Sequence, residues 1–375
     1  MNDKINLVAP CLFGVESVAA DEFRRMGFED VVTENGRVLL NGDYNMLARA
    51  NINSRFAERI LINMGQFTAT SFTELFDNVK KIEWERYIGK DDAFPVNGWS
   101  IDSALHSIPD CQSIIKKAIV DRLSLKYNKK GFDETGPEYK ERFSIRKDFV
   151  TMMIDTSGDG LHKRGYRRNS NDAPLKETLA AAMCDLARIY PDTKLYDPFC
   201  GSGTLLIESA LMATKTAPGL RRFFAAERFK SIPDKVWQEE RMRAQDLILH
   251  NIDFSAQGFD IDEKSVELTL ANAKKAGVEK YVKASIGDIK NFSVNDERCL
   301  VITNPPYGER LLDLKEAENL YRVMGEKFVC ENGKKYFVIS PHDDFEKLFG
   351  RPADKRRKLY NGMIKCQLYM YFKGR

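Results

Sequence analysis

KLYDPFCGSGTLLIESALMA, residues 194–213, decides the fold. A short apolar run ends in Asp197 and a Pro, Gly201-Ser202-Gly203 follows, and an apolar stretch of helical length begins at Thr204. Strand, glycine turn and helix together open a βαβ unit. The glycines let the backbone turn tightly and approach a ligand, and the helix start offers free N–H groups. The Lys-Ser/Thr of a Walker loop is missing, as is the full G-x-G-x-x-G of a dinucleotide fingerprint. A lone Gly-Ser-Gly turn is equally a structural bend, so its weight comes from its surroundings.

Those surroundings repeat the pattern. SAQGFDID (255–262), YVKASIGD (281–288), CLVITNPPYG (299–308) and KKYFVISP (334–341) read as apolar strands, and 234–250, 263–276 and 315–331 read as helices between them. Short apolar strands alternating with helices predict a parallel sheet covered on both faces, an α/β Rossmann-like domain over 166–375. RKLYNGMIKCQLYMYFKG (357–374) sets two apolar runs around Asn361-Gly362 and predicts a hairpin of antiparallel edge strands.

Three acids sit at successive strand tips, where open α/β sheets bind ligands. Asp197 suits a ligand cation or amine. Asp260 of GFDID suits bidentate bonding to ribose hydroxyls, and Asp288 of IGDI suits an adenine amino group. After the fourth strand comes TNPPYGER (303–310). Its two prolines fix the backbone and remove two donors. The acceptors left are the Asn304 side-chain oxygen and the Pro305 carbonyl, a pair suited to the exocyclic amine of a base, with Tyr307 as a stacking face.

The N-terminal 165 residues read differently. INLVAP (5–10) is a strand, 14–27 a helix, 30–42 a hairpin across Asn35-Gly36, and Asp43 a helix cap, so 1–70 form a small α+β module. A second α+β module over 71–165 has a strand at 99–105, a long helix opened by Pro109, and paired strands over 143–158. Basic, polar RGYRRNSNDAP marks the boundary near 165–172.

The 375 residues are 43% hydrophobic and 30% charged, ordinary for a globular protein of two or three domains. The net charge of +3 conceals regional asymmetry. Residues 116–147 carry ten Lys/Arg against five Asp/Glu, 162–168 carry four against none, and 351–375 carry eight against one. Basic patches on an otherwise acidic chain suit a polyanion such as nucleic acid. Seven scattered cysteines without a CxxC pair argue against disulfides and zinc, and four dispersed histidines show no metal cluster. No apolar run is long enough to cross a membrane, and no secretory leader is evident, so a cytoplasmic location is expected.

DPFCGSGT, GFDID, IGDI and NPPY, in that order, resemble the motifs of class I S-adenosylmethionine-dependent methyltransferases that methylate amines. DTSGDGLHKRGYRR followed by APLKETLAAAM is similar to the THUMP-domain RNA methyltransferases, and among them to the bacterial large-subunit ribosomal RNA guanine-N2 family. The resemblance implies a ferredoxin-like module, a THUMP RNA-binding module and a seven-stranded catalytic domain. Some members carry a second methyltransferase domain; this chain holds one, and no second activity is carried over. It implies that Asp197, Phe199, Gly201, Ser202, Gly203 and Thr204 hold the methionine end of S-adenosyl-L-methionine. Asp260 would take the ribose, with Ile261 and Asp262 beside the adenine, and Asp288 and Ile289 would bind or flank it. Asn304, Pro305, Pro306 and Tyr307 would hold the target base, and Glu177 or Thr178 would border the cofactor. Lys116, Lys117, Lys163, Arg164, Arg167 and Arg168 would grip the RNA backbone. No metal, membrane or obligate protein partner is implied.

The expected reaction is direct displacement on the sulfonium methyl, with the target base unpaired or flipped. Guanine N2 in large-subunit ribosomal RNA is the leading substrate. A DNA adenine-N6 methyltransferase, a tRNA guanine-N2 methyltransferase and a non-catalytic ribosome-assembly factor remain the alternatives.

Overall fold

The computed structural model describes residues 4–167, 175–307 and 314–373. In the N-terminal half, Asn35-Gly36 joins β2 (Val31–Glu34) to β3 (Arg37–Gly42), with Gly36 at φ +74°. The Asp43 carboxylate accepts from the Met46 N–H at 2.9 Å and caps α2 (Tyr44–Asn53). Pro109 lies in the first turn of α4 (Ile108–Tyr127), where its missing N–H costs nothing. The other elements of this half are β1 (Ile5–Pro10), α1 (Glu16–Arg25), β4 (Leu61–Thr68), α3 (Phe72–Lys81), β5 (Val96–Ile101), β6 (Glu141–Arg146) and β7 (Phe149–Asp155). The strand expected over 99–105 lies earlier, because Asp102 at φ 51° turns the chain out of extended conformation.

The two expected N-terminal modules share one sheet. Its order is β2-β3-β1-β4-β7-β6-β5, and the antiparallel β4–β7 pairing joins them. They are continuous because β4 pairs with β1 on one side and β7 on the other.

The C-terminal half runs α5 (Glu177–Ala187), β8 (Lys194–Asp197), α6 (Thr204–Ala213), α7 (Asp234–Asp246), β9 (Ser255–Asp260), α8 (Glu263–Ala276), β10 (Val282–Ile286), β11 (Cys299–Thr303), α9 (Leu314–Lys327), β12 (Lys334–Ser340), α10 (Phe345–Phe349), β13 (Lys355–Asn361) and β14 (Ile364–Tyr371). The sheet order is β10-β9-β8-β11-β12-β14-β13. The first five strands are parallel, and β14 is antiparallel to both its neighbours. Of the terminal hairpin only β13 is an edge strand; β14 inserts between β12 and β13, where Leu368 and Tyr369 are buried.

The halves are bolted together. Arg49 of α2 forms a bidentate pair with Glu240 of α7 at 2.8 and 2.7 Å. Arg55 donates to the carbonyl oxygens of Leu211 and Thr216. Tyr139 stacks on Phe229 at 4.1 Å between ring centroids. Much of the C-terminal side of this joint comes from the chain between α6 and β9, the insertion that separates the glycine loop from GFDID.

Candidate active site

A parallel sheet ends its strands on one edge, so the loops after β8, β9, β10 and β11 converge. They enclose a cleft of about 860 Å³, in the range of small-molecule sites. Asp197, Phe199, Gly201, Ser202, Thr204, Asp260, Ile261, Asp262, Asp288, Ile289, Asn304, Pro305, Pro306 and Tyr307 all line it. Gly203 stands behind the loop: at φ +78°, a Cβ there would sit 2.8 Å from the Thr269 side chain, so glycine lets α8 approach.

The acids are organised by backbone donors. Asp260 accepts from the Gly201 N–H at 2.9 Å and the Asp262 N–H at 3.0 Å, tying the glycine loop to the neighbouring strand tip. Thr269 donates to the Gly201 carbonyl oxygen and Asn272 to that of Ser202, closing the loop from behind. Asp197 is 1% exposed and accepts from the Thr303 hydroxyl at 2.6 Å and the Phe199 N–H at 3.1 Å. Burial pushes its carboxyl up to about 7 despite those two bonds. Asp288 accepts from the Lys290 N–H, and Asp262 caps α8 through Lys264 and Ser265. The Ser265 hydroxyl holds the Asp262 carboxyl below its ordinary value. Ile261, 76% exposed, offers an apolar edge beside Asp260. Cys200 is buried and its thiol is pushed up by burial, which suits packing and not nucleophilic attack.

After β11, the strand beside that of Asp197, the Asn304 side-chain oxygen is buried, with no hydrogen-bond partner among the described residues. A buried acceptor left without a donor costs free energy, about 1–3 kcal/mol, unless a ligand supplies the N–H. The Tyr307 hydroxyl accepts from Asn361 Nδ2 at 2.7 Å. Residues 308–313, including Glu309 and Arg310, lie outside the described residues.

Several lining residues were invisible in the sequence. Glu316, Asn319, Leu320 and Val323 come from α9, and Leu175 from the chain before α5. α9 reads as one more amphipathic helix, and only its place after NPPY could have put it over the mouth. Asn361 reads as a turn residue and no more.

The proposed RNA-gripping residues divide. Lys117 is exposed near Phe76, and exposed Lys163 lies 3.0 Å from Asp159. Lys116 is committed to Glu134 and to the Phe94 ring, 3.5 Å from its centroid. Arg164 is buried against Glu208 and donates to the carbonyl oxygens of Leu161 and Arg55. Arg167 pairs with Glu177 at 2.8 Å and donates to the Leu175 carbonyl oxygen and the Thr204 hydroxyl. Arg164 is therefore spent in the joint between the halves, and Arg167 on partners at the start of α5 and α6, so neither stands free for a phosphate. Arg168 lies outside the described residues. Thr178 faces the N-terminal half, donating to Glu58 at 2.6 Å, and Glu177 holds Arg167.

Residues 164–370 match the family model described as RMKL-like, methyltransferase domain. The chain belongs to this methyltransferase family. Residues 6–61 match the RlmL ferredoxin-like domain and 69–155 the THUMP domain. The chain is 40% identical over 371 residues, 98% of its length and 96% of the relative's, to the "Putative RNA methyltransferase YpsC" of Bacillus subtilis. It is 30% identical over 374 residues to the "Ribosomal RNA large subunit methyltransferase K/L" of a Marinomonas strain, covering 52% of that protein; it spans about half the length of the K/L relatives. A solved "possible methylase from Clostridium difficile 630" superimposes with a TM-score of 0.96 at 41% identity, covering 100% of this chain and 99% of that one. A solved putative methyltransferase in complex with SAH, SMU.472, does so with a TM-score of 0.94 at 41% identity over the full length of both. This methyltransferase is S-adenosylmethionine-dependent, and its cleft fits that cofactor: the buried Asp197 after β8, Asp260 and the exposed Ile261 after the neighbouring β9, and Asp288 beyond them after β10. Among the described residues no three His, Cys, Asp or Glu gather to hold a metal ion, and no helix is long and apolar enough to cross a membrane.

Proposed function

We propose that this methyltransferase methylates guanine N2 of an unpaired or extruded nucleotide in large-subunit ribosomal RNA. The buried Asn304 oxygen, without a partner among the described residues, carries the reading, because an exocyclic amine is the donor that completes it. RNA as the substrate class is supported by the THUMP match and by the relatives' names.

S-adenosylmethionine, when bound, supplies a methyl group already activated as a sulfonium. Asn304 accepts one N–H of the base amine and turns its lone pair outward. Tyr307 offers a ring for stacking, and Asn361 holds that ring through its hydroxyl. Asp197 and the Gly201 loop fix the methionine end, and Asp260 the ribose. Catalysis is then mostly positioning. The spare amine proton leaves to solvent after transfer, so no side-chain base is needed.

Adenine N6 is also an exocyclic amine, so the test has to read every pool. Nucleosides from ribosomal RNA, tRNA and DNA of a strain lacking the protein are compared by mass spectrometry. Loss of one N2-methylguanosine from large-subunit RNA, restored by wild type and not by Asn304→Ala, is the expected result. Loss from tRNA or of N6-methyladenine from DNA overturns the substrate and leaves the amine chemistry. No change in any pool favours an assembly factor.

A further inference from the structure

The basic C-terminal stretch is absorbed by neither the cofactor cleft nor the target loop. β14 is antiparallel to both β12 and β13, so β13 points the same way as the parallel strands. The turn after it, 361–363, therefore stands on the edge that carries the active site. Asn361 anchors it there through Tyr307. Two residues on, Met363 is 96% exposed, among the most exposed large apolar side chains described. Tyr360 pairs across the hairpin with Lys365, and Lys358 lies 5.2 Å from the Tyr360 ring centroid on the same face; both lysines are exposed. Over 351–373 seven Lys/Arg face a single acid, Asp354, whose carboxylate is occupied by the backbone N–H groups of Phe372 and Lys373.

Resting on the RNA reading above, we propose that this hairpin tip is a substrate-RNA contact. Met363 is the wedge that fills the stack beside the extruded nucleotide, and Lys358 and Lys365 take the flanking phosphates. The chemistry is consistent. Extruding a base leaves a gap and costs stacking energy. An unbranched, polarisable thioether chain fills an irregular apolar gap well, and exposed apolar side chains serve as wedges between base steps in architectural proteins. Rigidity comes from Arg357, which donates twice to the Gly14 carbonyl oxygen at 2.9 and 2.8 Å and so fixes the hairpin to the N-terminal half.

The test uses the full-length protein with two RNA probes: a structured ribosomal fragment containing the target nucleotide, and a short unpaired oligonucleotide of the same sequence. Met363→Ala is expected to lower kcat on the structured fragment about tenfold and to leave the unpaired probe within about twofold, because only the former has a stack to replace. Lys358→Glu with Lys365→Glu is expected to weaken affinity for the fragment about tenfold and to flatten its salt dependence. Equal effects of Met363→Ala on both probes, or unchanged affinity after the charge reversals, overturn the proposal while methylation by wild type upholds the function. If wild type methylates neither probe, the function fails, and the affinity of the charge-reversed protein alone decides the surface.

Discussion

Seven strands form the sheet of each half, yet the N-terminal sheet is antiparallel at five of its six pairings and the C-terminal sheet parallel at four of six. Antiparallel strands are joined by hairpins at both edges, whereas parallel strands all end on one. The same edge therefore gathers Asp197, Asp260, Asp288 and Asn304 in the second sheet, and nothing comparable in the first. Buried carboxyls show the contrast in small. Asp197 is buried with two donors and lines the cleft; Glu141 on β6 is buried, with neither oxygen hydrogen-bonded among the described residues.

The largest effect should come from the carboxyl edge. Asn304→Ala is expected to slow methyl transfer by at least about a hundredfold, as loss of a preorganised polar group does, with cofactor affinity nearly unchanged. Asp260→Ala should do the reverse, because it releases both the proposed ribose contact and the Gly201 N–H. Equilibrium dialysis beside a methylation assay separates the two. If both variants lose cofactor alone, the division of the edge into a cofactor end and a base end is wrong.

The joint between the halves comes next for activity, since its effect falls on stability and not on the methyl-transfer step. Arg164 and Glu208 are both buried, and Tyr166 donates to the same carboxylate at 2.9 Å. Removing one partner of a buried pair strands the other charge, at about 3–5 kcal/mol. Arg164→Ala should shift the urea midpoint accordingly, and a wild-type midpoint would show that this contact does not join the halves.

A smaller effect distinguishes the buried acid of the cleft by pH. Burial raises Asp197 from an ordinary 3.8 to about 7. In the free protein, a carboxyl so raised stabilises the fold most below its unfolded value, and that contribution is lost as pH rises through about 7. A cationic ligand group beside it favours the ionised form, so binding at neutral pH should expel a proton. Cofactor affinity should therefore climb with pH up to about neutral and then level off, and Asp197→Asn should flatten the curve. Calorimetry in buffers of different ionisation enthalpy counts the proton directly; zero release at pH 7 would rule out an Asp197 that ionises on binding.

The cleft was legible in the sequence because its parts lie at strand tips, and strand tips announce themselves by apolar runs that stop at Asp, Gly or Asn-Pro. The hairpins at Asn35-Gly36 and Asn361-Gly362 were legible for the same local reason. What escaped depends on tertiary placement. Basic sequence does not say whether a guanidinium faces solvent, so Arg164 and Arg167 read as RNA contacts when Glu208 and Glu177 had claimed them. The insertion of β14 between β12 and β13 is a matter of pairing partners, which hairpin chemistry leaves open.

Glu141 gives the smallest effect and the sharpest form of the contrast. It is fully buried; burial holds its carboxyl well above 4.5, with Lys116 pulling weakly the other way. As at Asp197, its contribution to stability falls as pH rises from its unfolded value toward the folded one. Unlike Asp197 it does not line the cofactor cleft, so no ligand there offsets the cost. Glu141→Met keeps the volume and removes two partnerless oxygens, and should raise stability by on the order of 1 kcal/mol at neutral pH, with the gain over wild type widening as pH increases. The same substitution at Asp197 should abolish cofactor binding. Thermal melts of both variants across a pH series, with and without cofactor, make the comparison. A destabilised Glu141→Met would mean that this carboxyl has found a partner in solution, and that the N-terminal sheet too holds a buried acid for a purpose.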